Sequence, residues 1–254
     1  MVHAVEVAPD RRVHRRARAP GSSAARCQTA RAPSPTTTDD TPWPRRATPS
    51  REIRAGQPVA VEGENTTHYS VVDAAGNAVA NTYTLNLSFG VGLVAEGTGI
   101  LLNDELDDFA AKPGAANAYG LVGGAANAPG PGKRPLSSMT PTIVLKGGKP
   151  YLVTGSPGGS RIITTALEVI LNAIDFRMDV AAAVAAPRIH HQWLPDEVVA
   201  EQAVPADTVR GLEHLGHTVV RRPNWGSANS IMVTPDGLAG AADPRTRGAL
   251  AVGY

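Results

Sequence analysis

The sequence has a single cysteine, Cys27, so no disulfide can form within the chain and cysteine usage leaves the redox compartment open. Aromatic residues are scarce, 4% against 42% hydrophobic overall, which requires a core of Ala, Val, Leu and Ile. No apolar run reaches the roughly 18–20 residues that span a bilayer. The N-terminal arginines are not followed by the apolar stretch of a secretory signal. Charge of either sign is nearly balanced, with a formal net charge of +1, and gives no electrostatic reason to expect nucleic acid or an anionic membrane as partner. Lysine is absent before Lys112, so every earlier side-chain cation other than histidine is arginine.

What is present changes character near residue 50. Residues 1–50 are rich in Arg, Ala, Pro, Ser and Thr and carry no helical or strand period. They offer little apolar surface to offset the entropy of ordering and are expected to be disordered, with a basic interaction arm as the rival reading. From residue 66 the pattern is that of a folded domain within a chain of 254 residues, long enough for one large domain or two small ones. The segments 68–73 and 77–85 flank a Gly-containing turn, and 142–146 and 151–155 flank Gly-Gly-Lys-Pro; both read as β-hairpins. Residues 159–176 are apolar nearly all round and predict a buried helix. Residues 205–220 predict an amphipathic helix, a turn at Gly216 and a short strand, and 230–237 a strand ending in a turn. The stretch 110–133, dense in Gly, Ala, Pro and Asn, predicts a long functional or mobile loop. Hairpins feeding a buried helix indicate a mixed α+β layered fold.

Several short segments carry polar chemistry without deciding anything alone. Glu-Asn-Thr66-Thr67-His-Tyr-Ser opens a strand, where β-branched residues are ordinary. Gly158 and Gly159 stand between a strand and the long helix, where glycine permits a sharp turn and bare N–H groups point outward. A plain strand-to-helix turn is the other reading, and the missing Gly-Lys-Ser/Thr excludes a Walker loop. His190, His191, His214 and His217 lack a carboxylate or cysteine at ligand spacing, so no metal is expected. Asn65-Thr66-Thr67 and Asn86-Leu87-Ser88 match the short glycosylation pattern, which recurs by chance.

Taken in series, TTHYS, YTLN, LLNDELDDF, KRPLSSMTPT and GSPGGSRIITT, followed by HHQWLPDE (190–197) and ADPR (242–245), resemble the small, catalytic subunit of γ-glutamyltransferases (glutathione hydrolases). The resemblance runs from Thr66 to Tyr254. It implies an N-terminal nucleophile hydrolase with an αββα sandwich, incomplete here because that family's proenzyme carries a large subunit of several hundred residues before the nucleophile. In this sequence 65 residues precede Thr66. Residues 51–65 look like that subunit's final linker, 1–50 match nothing in the family, and 66–254 form the small-subunit catalytic domain. A truncated or frameshifted product is the simplest account.

The resemblance further implies self-cleavage between Asn65 and Thr66, with Thr66 as nucleophile and its new α-amine as base. That amine has a reference pKa near 7.7–8.0, better poised for neutral pH than a lysine near 10.4. Thr84 supports the nucleophile, and the amides of Gly158 and Gly159 form the oxyanion hole. Asn86, Glu105 and Asp108 hold the substrate α-amino group, Asp107 being as readily a surface carboxylate. Ser137 and Ser138 grip its α-carboxylate, and 110–133 corresponds to a flexible lid. The implied substrate is a small γ-glutamyl peptide such as glutathione, with no cofactor. The large subunit is a partner expected but absent from this sequence. An inactive remnant that is at most an association partner, and a β-lactam acylase on the same scaffold, remain as alternatives. Relatives of the family are periplasmic, secreted or cell-surface.

Overall fold

The computed structural model describes residues 3–7 and 66–253, apart from 88, 111, 113, 114, 116–120, 122 and 194. The expectations for residues 8–65, disorder through residue 50 and a linker after it, therefore lie outside the described residues.

Residues that favour strands, Thr, Val and Tyr, dominate β2 (Thr66–Val72) and β3 (Ala78–Thr84), which form an antiparallel pair in the register Thr66↔Thr84 through Val72↔Ala78. The turn between them is closed by Asp73, whose Oδ1 accepts from the backbone N–H of Ala75 (2.9 Å) and Asn77 (2.8 Å), with Gly76 at φ +83°. β4 (Thr142–Lys146) and β5 (Lys149–Thr154) are joined by Gly147 and Gly148, both at positive φ (+58° and +74°). That is the type I′ geometry that matches strand twist and that other residues seldom adopt. Pro150 cannot donate to a ladder and falls beside the register shift between Val144 and Leu145, where a bulge tolerates it.

β9 (Ser230–Thr234) and β10 (Gly237–Ala241) continue this sheet, and β1 (His3–Val7) pairs parallel with β4 at its other edge, giving the order β1-β4-β5-β9-β10. The strand at residues 3–7 departs from the expected disorder of 1–50: the open edge of β4 offers unpaired N–H and C=O groups that an extended segment satisfies.

The β2–β3 hairpin packs on one face of the five-stranded sheet through Val72, Ala80 and Val153, with Ile143 and Ile231 beside them. On the other face lie α1 (Ile162–Ile174) and α2 (Val180–Ala185), burying Val144, Leu152, Val169, Ala173, Val180, Ala183, Val184 and Met232. Asp179 caps α2 by accepting from Ala182 N at 2.8 Å. The described residues thus form helix, sheet and sheet layers of an α+β fold. Both clusters are aliphatic, as the shortage of aromatics requires. The long helix differs from expectation in burying one face only: Ile163, Leu167 and Leu171 are exposed (50, 49 and 38%). Its all-round apolar pattern is therefore not matched by all-round packing.

A second, three-stranded sheet of β6 (Ile189–His190), β7 (Val198–Glu201) and β8 (Val219–Arg222) carries α3 (Ala206–His214), which turns into β8 through Gly216 at φ +98°. Among the described residues no helix is long and apolar enough to cross a membrane.

Candidate active site

Strand alternation points Thr66, His68, Ser70 and Val72 toward the five-stranded sheet, and the register sets Thr84 opposite Thr66. The two hydroxyls meet, Thr66 Oγ1 donating to Thr84 Oγ1 at 3.2 Å, while Thr84 Oγ1 also accepts from the Asn86 N–H at 2.8 Å. Asn86 lies in the left-handed region (φ +70°), which Asn tolerates better than most residues. Its Nδ2 donates to the Asp104 carbonyl at 3.0 Å, and Asp104 N–H donates to Leu85 O at 2.9 Å. These bonds moor the 3₁₀ turn Glu105–Asp108 beside Thr66. Asn86 is only 3% exposed, which rules it out as a glycan acceptor in this fold.

The turn brings two carboxyl groups together. Burial, then the charge of Glu105 and a hydrogen bond that Asp108 donates to it, push the Asp108 carboxyl up to about 7. Glu105 is raised too, chiefly by burial and then by Asp104, although accepting that bond from Asp108 opposes the rise. The Oε1 of Glu105 is buried without a partner. Two acids crowded in this way would each be eased by a cation placed between them.

Thr66, Thr84, Asn86, Glu105, Asp108, Ser137, Ser138 and Gly159 line a single cleft, with Leu121, Met139, Ser160 and Ile162. Of the residues picked from sequence only Gly158 is outside it. Gly158 lines a second cleft, and Thr66 lines both. Gly158 (φ +137°) and Gly159 (φ +55°) adopt conformations that a side chain would strain. They open the 3₁₀ turn that leads into α1, where the first N–H groups have no intrahelical acceptor. The arrangement is a hydroxyl that lines two clefts beside an amide-rich turn, with an acidic pair in the lining of one of them.

The sequence profile described as gamma-glutamyltranspeptidase matches residues 28–253. The chain belongs to the γ-glutamyltranspeptidase family. It is 60% identical over 210 residues to a glutathione hydrolase proenzyme of Escherichia coli K12, a match covering 82% of this chain and 36% of that protein. It therefore spans only about a third of the length of that relative. A solved gamma-glutamyltranspeptidase mutant of Helicobacter pylori superposes with a TM-score of 0.68 and 54% identity, over 71% of this chain and 100% of that one. The Pseudomonas nitroreducens gamma-glutamyltranspeptidase complexed with L-DON gives 0.68 and 49%, over 74% of this chain and 100% of that one.

Several site-shaping residues of this chain went unnoticed in the sequence. Asn127 donates from Nδ2 to Asp108 O (2.6 Å) and accepts at Oδ1 from Leu136 N–H (3.0 Å), tying the acidic turn to the segment before Ser137 and Ser138. Lys133 Nζ donates to Ala126 O (3.2 Å) and Ala128 O (3.0 Å), so the later part of the 110–133 loop is pinned in place. Under the glycine turn, Ser160 Oγ donates to Gln192 Oε1 at 2.7 Å, the same oxygen that His190 Nε2 approaches at 3.0 Å. His190 therefore serves to brace the turn. His191 contacts Asp196 at 3.4 Å and the His217 ring at a centroid distance of 6.0 Å.

His68, 4% exposed, lies two residues beyond Thr66 and its pKa is held down to about 4 by burial. Ser70 Oγ donates to Asn229 O (2.8 Å), so it must accept from His68 Nε2–H (3.1 Å), leaving Nδ1 to accept from Thr82 Oγ1 (2.7 Å). Both ring nitrogens are committed, and His68 has no lone pair with which to activate Thr66. Gly155 makes room for it: a Cβ there would come within 2.4 Å of the ring.

The wall of the second cleft rests on a buried cluster of two cations and two anions. Arg188 donates to Asp243 Oδ2 (2.6 Å) and Trp225 O (2.6 Å), Arg245 pairs with Glu201 Oε2 (2.6 Å) and Asp243 Oδ1 (3.1 Å), and Asp243 Oδ2 accepts from Ala228 N–H (2.7 Å). This cluster fixes the backbone at 225–228, whose Gly226 and Ser227 line that cleft.

Proposed function

We propose that this chain is the nucleophile-bearing part of a γ-glutamyltransferase, transferring the γ-glutamyl group of glutathione or a related compound to water or to an amino acid or peptide. The observation that carries the reading is the convergence of Thr66 with the Glu105–Asp108 pair in one cleft. Scission after Asn65 frees the Thr66 α-amine, which takes the Oγ1 proton as that oxygen attacks the γ-carbonyl. The family resemblance and the engagement of the His68 Nδ1 lone pair by Thr82 both support the amine as base. Thr84 accepts a hydrogen bond from Thr66 Oγ1 and so orients it. The developing oxyanion takes N–H bonds from Gly158 and Gly159.

An α-ammonium between Glu105 and Asp108 relieves their crowding, and Asn86 adds to that pocket, while Ser137 and Ser138 meet the α-carboxylate. This acidic pair favours a substrate bearing an ammonium over the neutral acyl side chain of an unsubstituted β-lactam substrate. The remaining length of the curated relatives corresponds to a separate large subunit, which supplies further substrate contacts and covers apolar surface left open here, such as Tyr69, Val71, Val79 and Tyr83 on the outer hairpin face.

Intact-mass measurement of the purified chain tests the mechanism. Two pieces divided between Asn65 and Thr66 are expected, and one uncut chain for Thr66→Ala. Turnover of a γ-glutamyl-anilide is expected only when a relative's large subunit is co-expressed. Efficient hydrolysis by the uncut chain or by Thr66→Ala refutes the mechanism, and no turnover even with that subunit favours the remnant reading.

A further inference from the structure

The first cleft offers two grips, an acidic pair and a pair of serine hydroxyls, and a substrate that uses both needs them at one fixed spacing. Neither grip belongs to a sheet. Asp108 ends the 3₁₀ turn Glu105–Asp108, and Ser137 and Ser138 lie outside any strand or helix. Among the described residues no backbone hydrogen bond joins the two segments directly. Asn127 joins them instead. Its Nδ2 donates to the Asp108 carbonyl (2.6 Å), its own carbonyl accepts from Ala110 N–H (2.9 Å), and its Oδ1 accepts from Leu136 N–H (3.0 Å). One residue thus bonds twice to the acidic segment and once to the residue before the serines. Its backbone is held in turn: Lys133 Nζ donates to the carbonyls on either side, Ala126 (3.2 Å) and Ala128 (3.0 Å), and Asn127 N–H donates to Gly124 O (3.0 Å). Ser137 Oγ accepts from Met139 N–H (3.2 Å), which leaves its own hydrogen for a carboxylate.

We propose that Asn127 is a positioning residue that sets the distance between the two grips, so that the cleft selects donors carrying an ammonium and a carboxylate on the same carbon. The proposal rests on the γ-glutamyl reading above. Asn127 is not among the residues lining either cleft, so it acts through Asp108 and Leu136 and not on the substrate itself. A donor that uses one grip does not sense the spacing between them. A donor that uses both gains fully from the second contact only when that contact is already in place as the first is made, because ordering it on binding costs free energy. Loosening the bridge therefore removes the advantage of carrying both charges and leaves the contact of each charge alone.

The test uses the full chain co-expressed with a relative's large subunit, and three anilide donors. They carry the γ-glutamyl group, the γ-aminobutyryl group that lacks its α-carboxylate, and the glutaryl group that lacks its α-ammonium. Asn127→Ala is expected to raise KM for the γ-glutamyl donor about tenfold, equivalent to about 1.4 kcal/mol and on the scale of one net hydrogen bond. Its kcat should stay near wild type, and so should KM for the two single-charge donors. Asn127→Asp keeps the size and the acceptor for Leu136 but loses the donor to Asp108, and should behave like Asn127→Ala. Lys133→Met loosens only the backbone around Asn127 and should raise the γ-glutamyl KM about threefold, half of that free energy; it carries the test if the Asn127 variants fail to assemble. An unchanged γ-glutamyl KM, a fall in kcat alone, or an equal rise in KM for all three donors overturns the positioning role. A wild-type enzyme that handles the γ-glutamyl donor no better than the single-charge donors overturns the γ-glutamyl reading, whatever the Asn127 variants do.

Discussion

Replacing Asp243 with alanine tests how much of the fold depends on the buried charge cluster. Asp243 is 1% exposed and accepts from Arg188 (2.6 Å), from Arg245 Nη1 (3.1 Å) and from the backbone N–H of Ala228 (2.7 Å) and Arg245 (3.0 Å). The substitution leaves the Arg188 guanidinium, 2% exposed, with carbonyl acceptors but no anion in direct contact. It also orphans a buried amide. Breaking a buried pair by deleting one partner costs about 3–5 kcal/mol, a large share of a total stability of about 5–15 kcal/mol. For a domain of this size each kcal/mol moves the midpoint by about 2–4 °C, so thermal unfolding followed by circular dichroism should shift down by about 6–20 °C. The double variant Arg188→Met, Asp243→Leu removes both charges and should recover much of that loss. A single variant within about 2 °C of wild type, or a double variant worse than the single, refutes the reasoning.

Two further outcomes follow from the ionisable groups. His68 has a pKa of about 4 in the fold against 6.5 as a free side chain. The unfolded chain therefore binds the extra proton first, and stability is lost as pH falls from 6.5 toward 4, by about 3 kcal/mol in total. His68→Gln should remove that part of the acid sensitivity in urea titrations run at pH 7 and pH 4.5; an unchanged difference between the two would contradict the assignment. Asp108 is raised to about 7, so at pH 6 it is mostly protonated and must release its proton to pair with an ammonium. Donor affinity should improve as pH rises through 7, and calorimetry at pH 6 in buffers of different ionisation enthalpy should report proton release that Asp108→Asn abolishes; binding without proton release would show that Asp108 does not meet the ammonium.

The two hairpins could be read from sequence because their signals are local: a few strand-favouring residues, then Gly-Asn or Gly-Gly where positive φ is needed. The family motifs named the residues of the first cleft, and the structure gathers them there except for Gly158. What escaped was whatever depends on distant partners. Asn127 looks like any loop asparagine until the chain brings Asp108 and Leu136 to its two ends. Arg188 and Glu201 read as ordinary charges, since nothing local announces that Asp243 and Arg245 will neutralise them in the interior. Strand β1 is too short to show a period and is defined by the edge it meets. The overestimate for α1 has a related cause: composition reports how apolar a helix is, not how many of its faces find a neighbour.

The separation in sequence of the parts around Thr66 bears on the order of events during folding. The β4–β5 hairpin closes over two glycines and can form within microseconds. Thr66 and Thr84, 18 residues apart, come next. The hydrogen bond from Asn229 to the His68 carbonyl spans 161 residues. Closing that span costs about 2 kcal/mol more in chain entropy than closing 18, at about 0.6 kcal/mol per doubling, and contacts of such range are made slowly. The walls around Thr66 are therefore completed late, after the local pieces are in place. Under the proposed mechanism, a cut before Thr66 that relies on these walls would have to wait until Asn229 has reached His68.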